Sequence, residues 1–112
     1  MADCIFCKII NKELPSQILY EDDNSIVIKD VAPKAPLHLL IIPKKHIPSV
    51  NHLELKDKIL IGELFFVAQK IAREQGVAET GYRLIFNIGK DAGQTIDHLH
   101  LHLMGGKKLP WA

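Results

Sequence analysis

The densest chemistry in the chain lies where His98, His100 and His102 alternate with Leu99, Leu101 and Leu103. In an extended segment successive side chains point to opposite faces, so the three imidazoles share one face and the leucines the other. Consecutive histidines would then stand ~7 Å apart, given a rise of ~3.3 Å per residue. A single histidine on a strand is ordinarily a hydrogen-bonded structural residue. Three on one face are costly unless they have partners or work to do. Two chemistries suit such a row: three nitrogens as ligands of a catalytic zinc, or an imidazole attacking an electrophile. Just upstream, residues 89–95 carry Gly89, Lys90, Gly93, Gln94 and Thr95. A flexible loop of this kind can turn N–H groups towards an anion. Phosphate loop and histidine row together point to attack on phosphorus.

A second constellation is Cys4-x-x-Cys7. At positions i and i+3 of a helix the two thiols share a face. Two small buried core residues would explain the pair equally well. Two cysteines are only half of a structural zinc site, which takes four ligands. No strand precedes the pair, which argues against a thioredoxin-like redox role. His52 reads as an exposed residue near a helix start, without function.

The elements that must position these groups can be read from periodicity. Residues 3–13 suit a short helix with Asp3 as N-cap and an apolar stripe of Ile5, Phe6, Ile9 and Ile10. Residues 17–21 and 25–29 are aliphatic, β-branched segments split by an acidic turn, and predict a hairpin. Residues 37–42 predict a buried strand closed by Pro43. Residues 51–75 predict the long helix, with Asn51 and Glu54 as capping box, Leu55, Ile59, Leu60, Leu64, Val67, Ala68, Ile71 and Ala72 on a 3.6-residue period, and Gly76 just past its end. The extra apolar residues Ile61, Phe65 and Phe66 widen the stripe enough for a dimer contact. Residues 84–88 and 97–104 predict two further strands. Two helices with five mainly antiparallel strands make an α+β domain.

The 112 residues fit a single domain, 1–112, and the 47% hydrophobic share allows one core. Fourteen basic against 13 acidic residues give a formal charge of +1, too little for wrapping nucleic acid, so no nucleic-acid partner is expected. The apolar run at residues 39–42 is far too short to cross a bilayer, and the first residues lack a basic targeting region. With few cysteines, the chain reads as cytoplasmic, with no membrane association.

The segment from His98 to Met104 is a full match to the signature of the histidine triad (HIT) family: His, apolar, His, apolar, His, two apolar residues. The chain resembles that family over nearly its whole length. Residues 4–10 are similar to its opening helix, 20–23 to its first turn and 35–44 to its central strand. Gly93, Gln94, Thr95, Gly105 and Gly106 also match, and Trp111 falls where the Hint-like branch carries a C-terminal tryptophan.

This resemblance implies the HIT-like fold, a homodimer with the sheet extended across its two-fold axis, and a purine nucleotide site of the AMP or GMP type. It implies hydrolysis of the P–N bond of nucleoside phosphoramidates, such as an adenylyl-lysine, through a covalent nucleotidyl-histidine. His100 would be the nucleophile, with His98 completing the triad. His102 would contact the phosphate and help move the proton to the leaving amine, and His38 would orient the nucleophile. Asn87, Gly93, Gln94 and Thr95 would bind phosphate or the leaving-group side, and Asp30 the ribose hydroxyls. Phe6, Ile9, Leu14 and Ile28 would line the base pocket, where Ile28 replaces the aromatic often found. Catalysis would need no cofactor. Bacterial-type members of the family imply a structural zinc on Cys4, Cys7, His46 and His98. Three other functions stay open on these residues: a dinucleoside polyphosphate hydrolase, a nucleotide-binding regulatory protein without turnover, and a metalloenzyme using the three histidines as ligands.

Overall fold

The structure is a computed structural model that describes residues 4–111. The expected N-cap Asp3 lies outside the described residues. In chain order the elements are α1 (Ile5–Ile10), β1 (Ile18–Glu21), β2 (Ser25–Lys29), β3 (Leu37–Pro43), α2 (Lys58–Glu74), β4 (Tyr82–Ile85) and β5 (Leu101–Gly105), with three short 3₁₀ turns between them. The strands form one sheet in the order β1-β2-β3-β5-β4, every pair antiparallel. The expected α+β architecture is therefore the one observed.

β2 and β3 are buried on both faces, because the helices cover opposite sides of the sheet. Ile26, Ile28, Leu40 and Ile42 point to one side, where Phe6 and Ile9 of α1 close a small core. Val27, Leu39, Ile41, Leu101 and Leu103 point to the other, against Leu64, Val67, Ala68, Ile71 and Ala72 of α2. Period-2 alternation in the strands thus sorts residues between two cores.

α1 is shorter than residues 3–13. Cys4 is its N-cap, its Sγ accepting the Cys7 N–H. At the other end Lys12 adopts φ +63°. The Lys12 and Glu13 N–H groups then return to the Ile9 and Lys8 carbonyls, a Schellman closure. A lysine in this left-handed position carries no glycine-like signal in the sequence.

The long helix also begins later than expected. Ser49, not Asn51, caps a 3₁₀ turn at Val50–His52. Glu54 then pairs with Asp57 in a reciprocal capping box around Leu55–Asp57, and α2 starts at Lys58. Leu55 and Ile59 are exposed, because they precede the part of the helix that lies on the sheet. The strand expected at 84–88 is Tyr82–Ile85, and that expected at 97–104 covers only Leu101–Gly105. β3 stops at Pro43, which has no N–H to offer, so β5 finds its ladder only from Leu101 onward. The Leu99 N–H turns instead to the Ile47 carbonyl at 2.7 Å.

Candidate active site

The alternation read from the sequence survives although the histidine segment is only partly a strand. Leu99, Leu101 and Leu103 are buried in the α2-side core, and the three histidines lie on the α1 side. The even row expected of a flat strand is absent: the rings of His100 and His102 are 4.9 Å apart.

Each imidazole has a different task. His98 is fully buried and does not line the cleft described below. Its Nε2 is 2.8 Å from the Pro43 carbonyl, which can only accept, so this nitrogen carries the hydrogen. Its Nδ1 lone pair faces Cys4 Sγ (3.3 Å), Cys7 Sγ (3.6 Å) and His46 Nδ1 (3.1 Å). Burial pushes the His98 pKa down to about 4, which keeps the ring neutral and able to ligate.

His100 Nδ1 donates to the His98 carbonyl at 2.7 Å, leaving the Nε2 lone pair free. His102 is set from the other side. The Lys34 N–H donates to His38 Nδ1 at 2.9 Å, so the His38 hydrogen sits on Nε2. That N–H is directed to His102 Nδ1 at 2.9 Å, with Asp30 Oδ2 a longer 3.3 Å away. The His102 hydrogen is thereby driven to its own Nε2. His38 therefore contacts His102, not His100. Burial pushes His102 down to about 4, helped by neighbouring His100 and His38, and burial also lowers His38 against the opposing Asp30 charge.

His100 and His102 open onto a cleft of about 560 Å³, within the range of small-molecule sites. Phe6, Ile9, Leu14 and Ile28 form its apolar part, and Asp30, Asn87, Gly93 and Thr95 lie along the same cleft. Gln94 is not part of its wall. Its amide braces the loop, accepting the Gly89 N–H and donating to the Pro48 and Ile96 carbonyls. Gly89 and Gly93 take φ of +83° and +90°, a left-handed backbone suited to glycine.

Sequence reasoning missed Ile5, Leu40 and Ile96 in the wall. Leu40 was detectable, being two residues from His38 on the same face of β3. The Lys34 amide had no signal, because a backbone donor is independent of side-chain type.

Behind α1, the donor atoms of Cys4, Cys7, His46 and His98 all lie within 4.8 Å of one another. A tetrahedral zinc with these ligands has donor–donor edges of ~3.3–3.8 Å, from bond lengths of ~2.0–2.3 Å. Four of the six donor–donor distances lie between 3.1 and 3.6 Å, near those edges. Burial and neighbouring Cys4 push the Cys7 thiol up to about 11. The second group of ligating side chains, Asp30, His38 and His102, is a poor cage. A metal on His38 Nε2 would force a hydrogen onto Nδ1, against the Lys34 N–H.

Comparison with known proteins bears on the fold and the family. The family model for the scavenger mRNA decapping enzyme C-terminal binding domain matches residues 3–110. The purine nucleoside phosphoramidase of Escherichia coli (strain K12) is 46% identical over 107 residues, covering 96% of this chain and 90% of that protein. A HIT family hydrolase from Clostridium thermocellum superposes with a TM-score of 0.96 at 48% identity, covering 100% of this chain and 97% of its own. A histidine triad protein from Clostridium difficile gives 0.97 at 46% identity with the same coverage. No helix among the described residues is long and apolar enough to cross a membrane. With the triad signature, the fold and these relatives in agreement, the chain belongs to the histidine triad family of hydrolases.

Proposed function

We propose that the chain hydrolyses the P–N bond of purine nucleoside phosphoramidates, of the adenylyl-lysine kind, through a nucleotidyl intermediate on His100. The observation that carries this reading is the pair of opposed tautomers at the cleft. His100 has a free Nε2 lone pair, and His102 beside it has an Nε2–H. The first is a nucleophile and the second a neutral donor to a phosphoryl oxygen.

The purine would lie among Phe6, Ile9, Leu14 and Ile28, and the ribose hydroxyls near Asp30. Asn87, Gly93 and Thr95 would face the phosphate, while Gln94 acts by holding their loop. As the bond from His100 Nε2 to phosphorus forms, the P–N bond breaks. The leaving nitrogen departs as the amine, taking a proton from solvent at the His102 edge of the phosphate, since neutral His102 keeps its own Nε2 hydrogen. Water then attacks phosphorus, frees His100 and returns that proton.

Cys4, Cys7, His46 and His98 would hold a zinc ion, whose chemistry there is structural because four protein ligands close its sphere. Two features support a homodimer. β4 ends the sheet with an open edge, and Phe65 stands near Phe86 just past that edge, with Phe66 exposed. A cytoplasmic site of action suits Cys4 and Cys7, which form no disulfide.

The test is turnover of a fluorogenic adenosine phosphoramidate beside diadenosine polyphosphates, for wild type and His100→Ala. Preference for the phosphoramidate, lost in the variant, is expected. Preference for the polyphosphate would replace the substrate class, and full activity of His100→Ala would remove the mechanism.

A further inference from the structure

The Cys4, Cys7, His46 and His98 cluster does not open onto the cleft, yet each of its segments reaches the nucleophile. His98 is the shortest link: its ring faces the cluster while its carbonyl takes the His100 Nδ1–H. Cys4 and Cys7 flank Phe6, whose ring meets His98 and His100 edge-on, with centroids 5.9 and 5.1 Å away. His46 precedes Ile47, the carbonyl that receives the Leu99 N–H. The ladder to β3 starts only at Leu101. Residues 98–100 are therefore placed by these contacts and by the burial of Leu99, not by sheet hydrogen bonds.

We propose that this cluster positions the nucleophile: with a zinc-class dication bound, it clamps the His98 peptide so that its carbonyl holds His100 in the attacking tautomer. The proposal rests on His100 being the nucleophile and makes its attack depend on a site the substrate does not reach. Cys4, Cys7, His46 and His98 are then positioning residues. Releasing the clamp frees the His98 carbonyl to move, and the His100 hydrogen is no longer confined to Nδ1. A fraction of the molecules then presents an N–H to phosphorus in place of a lone pair. A cluster that merely stapled α1 to the sheet would affect stability without affecting this tautomer.

The experiment compares wild type as purified with zinc, the same protein stripped by chelator, and His46→Ala and His46→Cys variants. Zinc content, the isotope-labelled His100 imidazole by nitrogen NMR, and kcat and KM on adenosine phosphoramidate are measured on each. Stripping and His46→Ala are expected to lower kcat roughly 10- to 100-fold, the range for small misplacement of a reacting group, with KM little changed. The His100 Nδ1–H signal should give way to a tautomer mixture in the same samples. His46→Cys keeps four zinc-competent ligands and should recover zinc, signal and kcat together.

Stripped protein that stays folded by circular dichroism and keeps full kcat and the Nδ1–H signal would overturn the proposal. So would a His46→Cys variant that regains zinc and melting temperature but not kcat. Should the stripped protein unfold, the two variants are read in excess zinc. There, lost kcat in folded His46→Ala supports the clamp and unchanged kcat overturns it. A His100→Ala control separates the two ideas. If it is active, the nucleophile assignment fails; if it is inactive while the cluster changes nothing, only the clamp fails.

Discussion

The three imidazoles at the heart of this protein are chemically identical in the unfolded chain, and backbone groups make them different. The His98 carbonyl places a hydrogen on His100 Nδ1, and the Lys34 N–H, acting through His38, places one on His102 Nε2. His100→Ala should therefore lose roughly a thousandfold or more in kcat, as removal of a nucleophile does. His102→Asn, read in the same assay, should lose roughly 10²- to 10⁴-fold, the range for a group that assists proton transfer. A His102→Asn variant within a few-fold of wild type would exclude that role. The same burial leaves a mark on stability. Folded His102 titrates at about 4 and unfolded histidine near 6.5, so between these values the unfolded chain binds the extra proton. Stability should fall as pH drops from 6.5 towards 4. Urea midpoints measured across that window should decline more steeply for wild type than for His102→Asn. Parallel declines would show that His102 is not the group responsible.

At the level of elements, the sequence was most legible where periodicity repeats and least legible at ends. The strands of the hairpin and β3 lie close to where aliphatic and β-branched runs put them, because β2 and β3 are buried on both faces and a continuous apolar run is what such strands need. The ends of α1 and the start of α2 depended on Lys12, Ser49 and Asp57, whose roles arise from local geometry. Lys12 provides a direct check. Its left-handed conformation costs a non-glycine residue energy, and its pair with Glu21 is exposed and worth little. Lys12→Gly should thus stabilise the protein by about 1 kcal/mol in chemical denaturation, with turnover unchanged. A clear loss of stability would mean that the Glu21 pair outweighs the backbone.

At the scale of the whole molecule, the sheet separates two cores and leaves β4 as an edge beside the Phe65–Phe86 pair. If that edge is the two-fold contact, analytical ultracentrifugation should give twice the chain mass. Phe65→Asp should shift the protein towards monomer by placing a charge in an apolar contact. A wild-type monomer at micromolar concentration would place the contact, and the extended sheet, out of consideration.

The sequence by itself determined the chemistry available and the side of the sheet on which it lies. Three histidines opposite three leucines can bury the leucines only by presenting the imidazoles together, and that follows from the two-residue period alone. It also supplied the ligand types for the Cys4 and Cys7 cluster, whose His46 and His98 partners came from resemblance. Tertiary structure decided the division of labour. β3 ends at Pro43, so His98 turns its ring to the cysteines and its carbonyl to His100. Lys34 comes back to His38, so His102 shows the cleft a hydrogen rather than a lone pair. These outcomes depend on contacts between residues 4, 34 to 47 and 98 to 102, and no local pattern encodes which nitrogen of an imidazole will meet which backbone group.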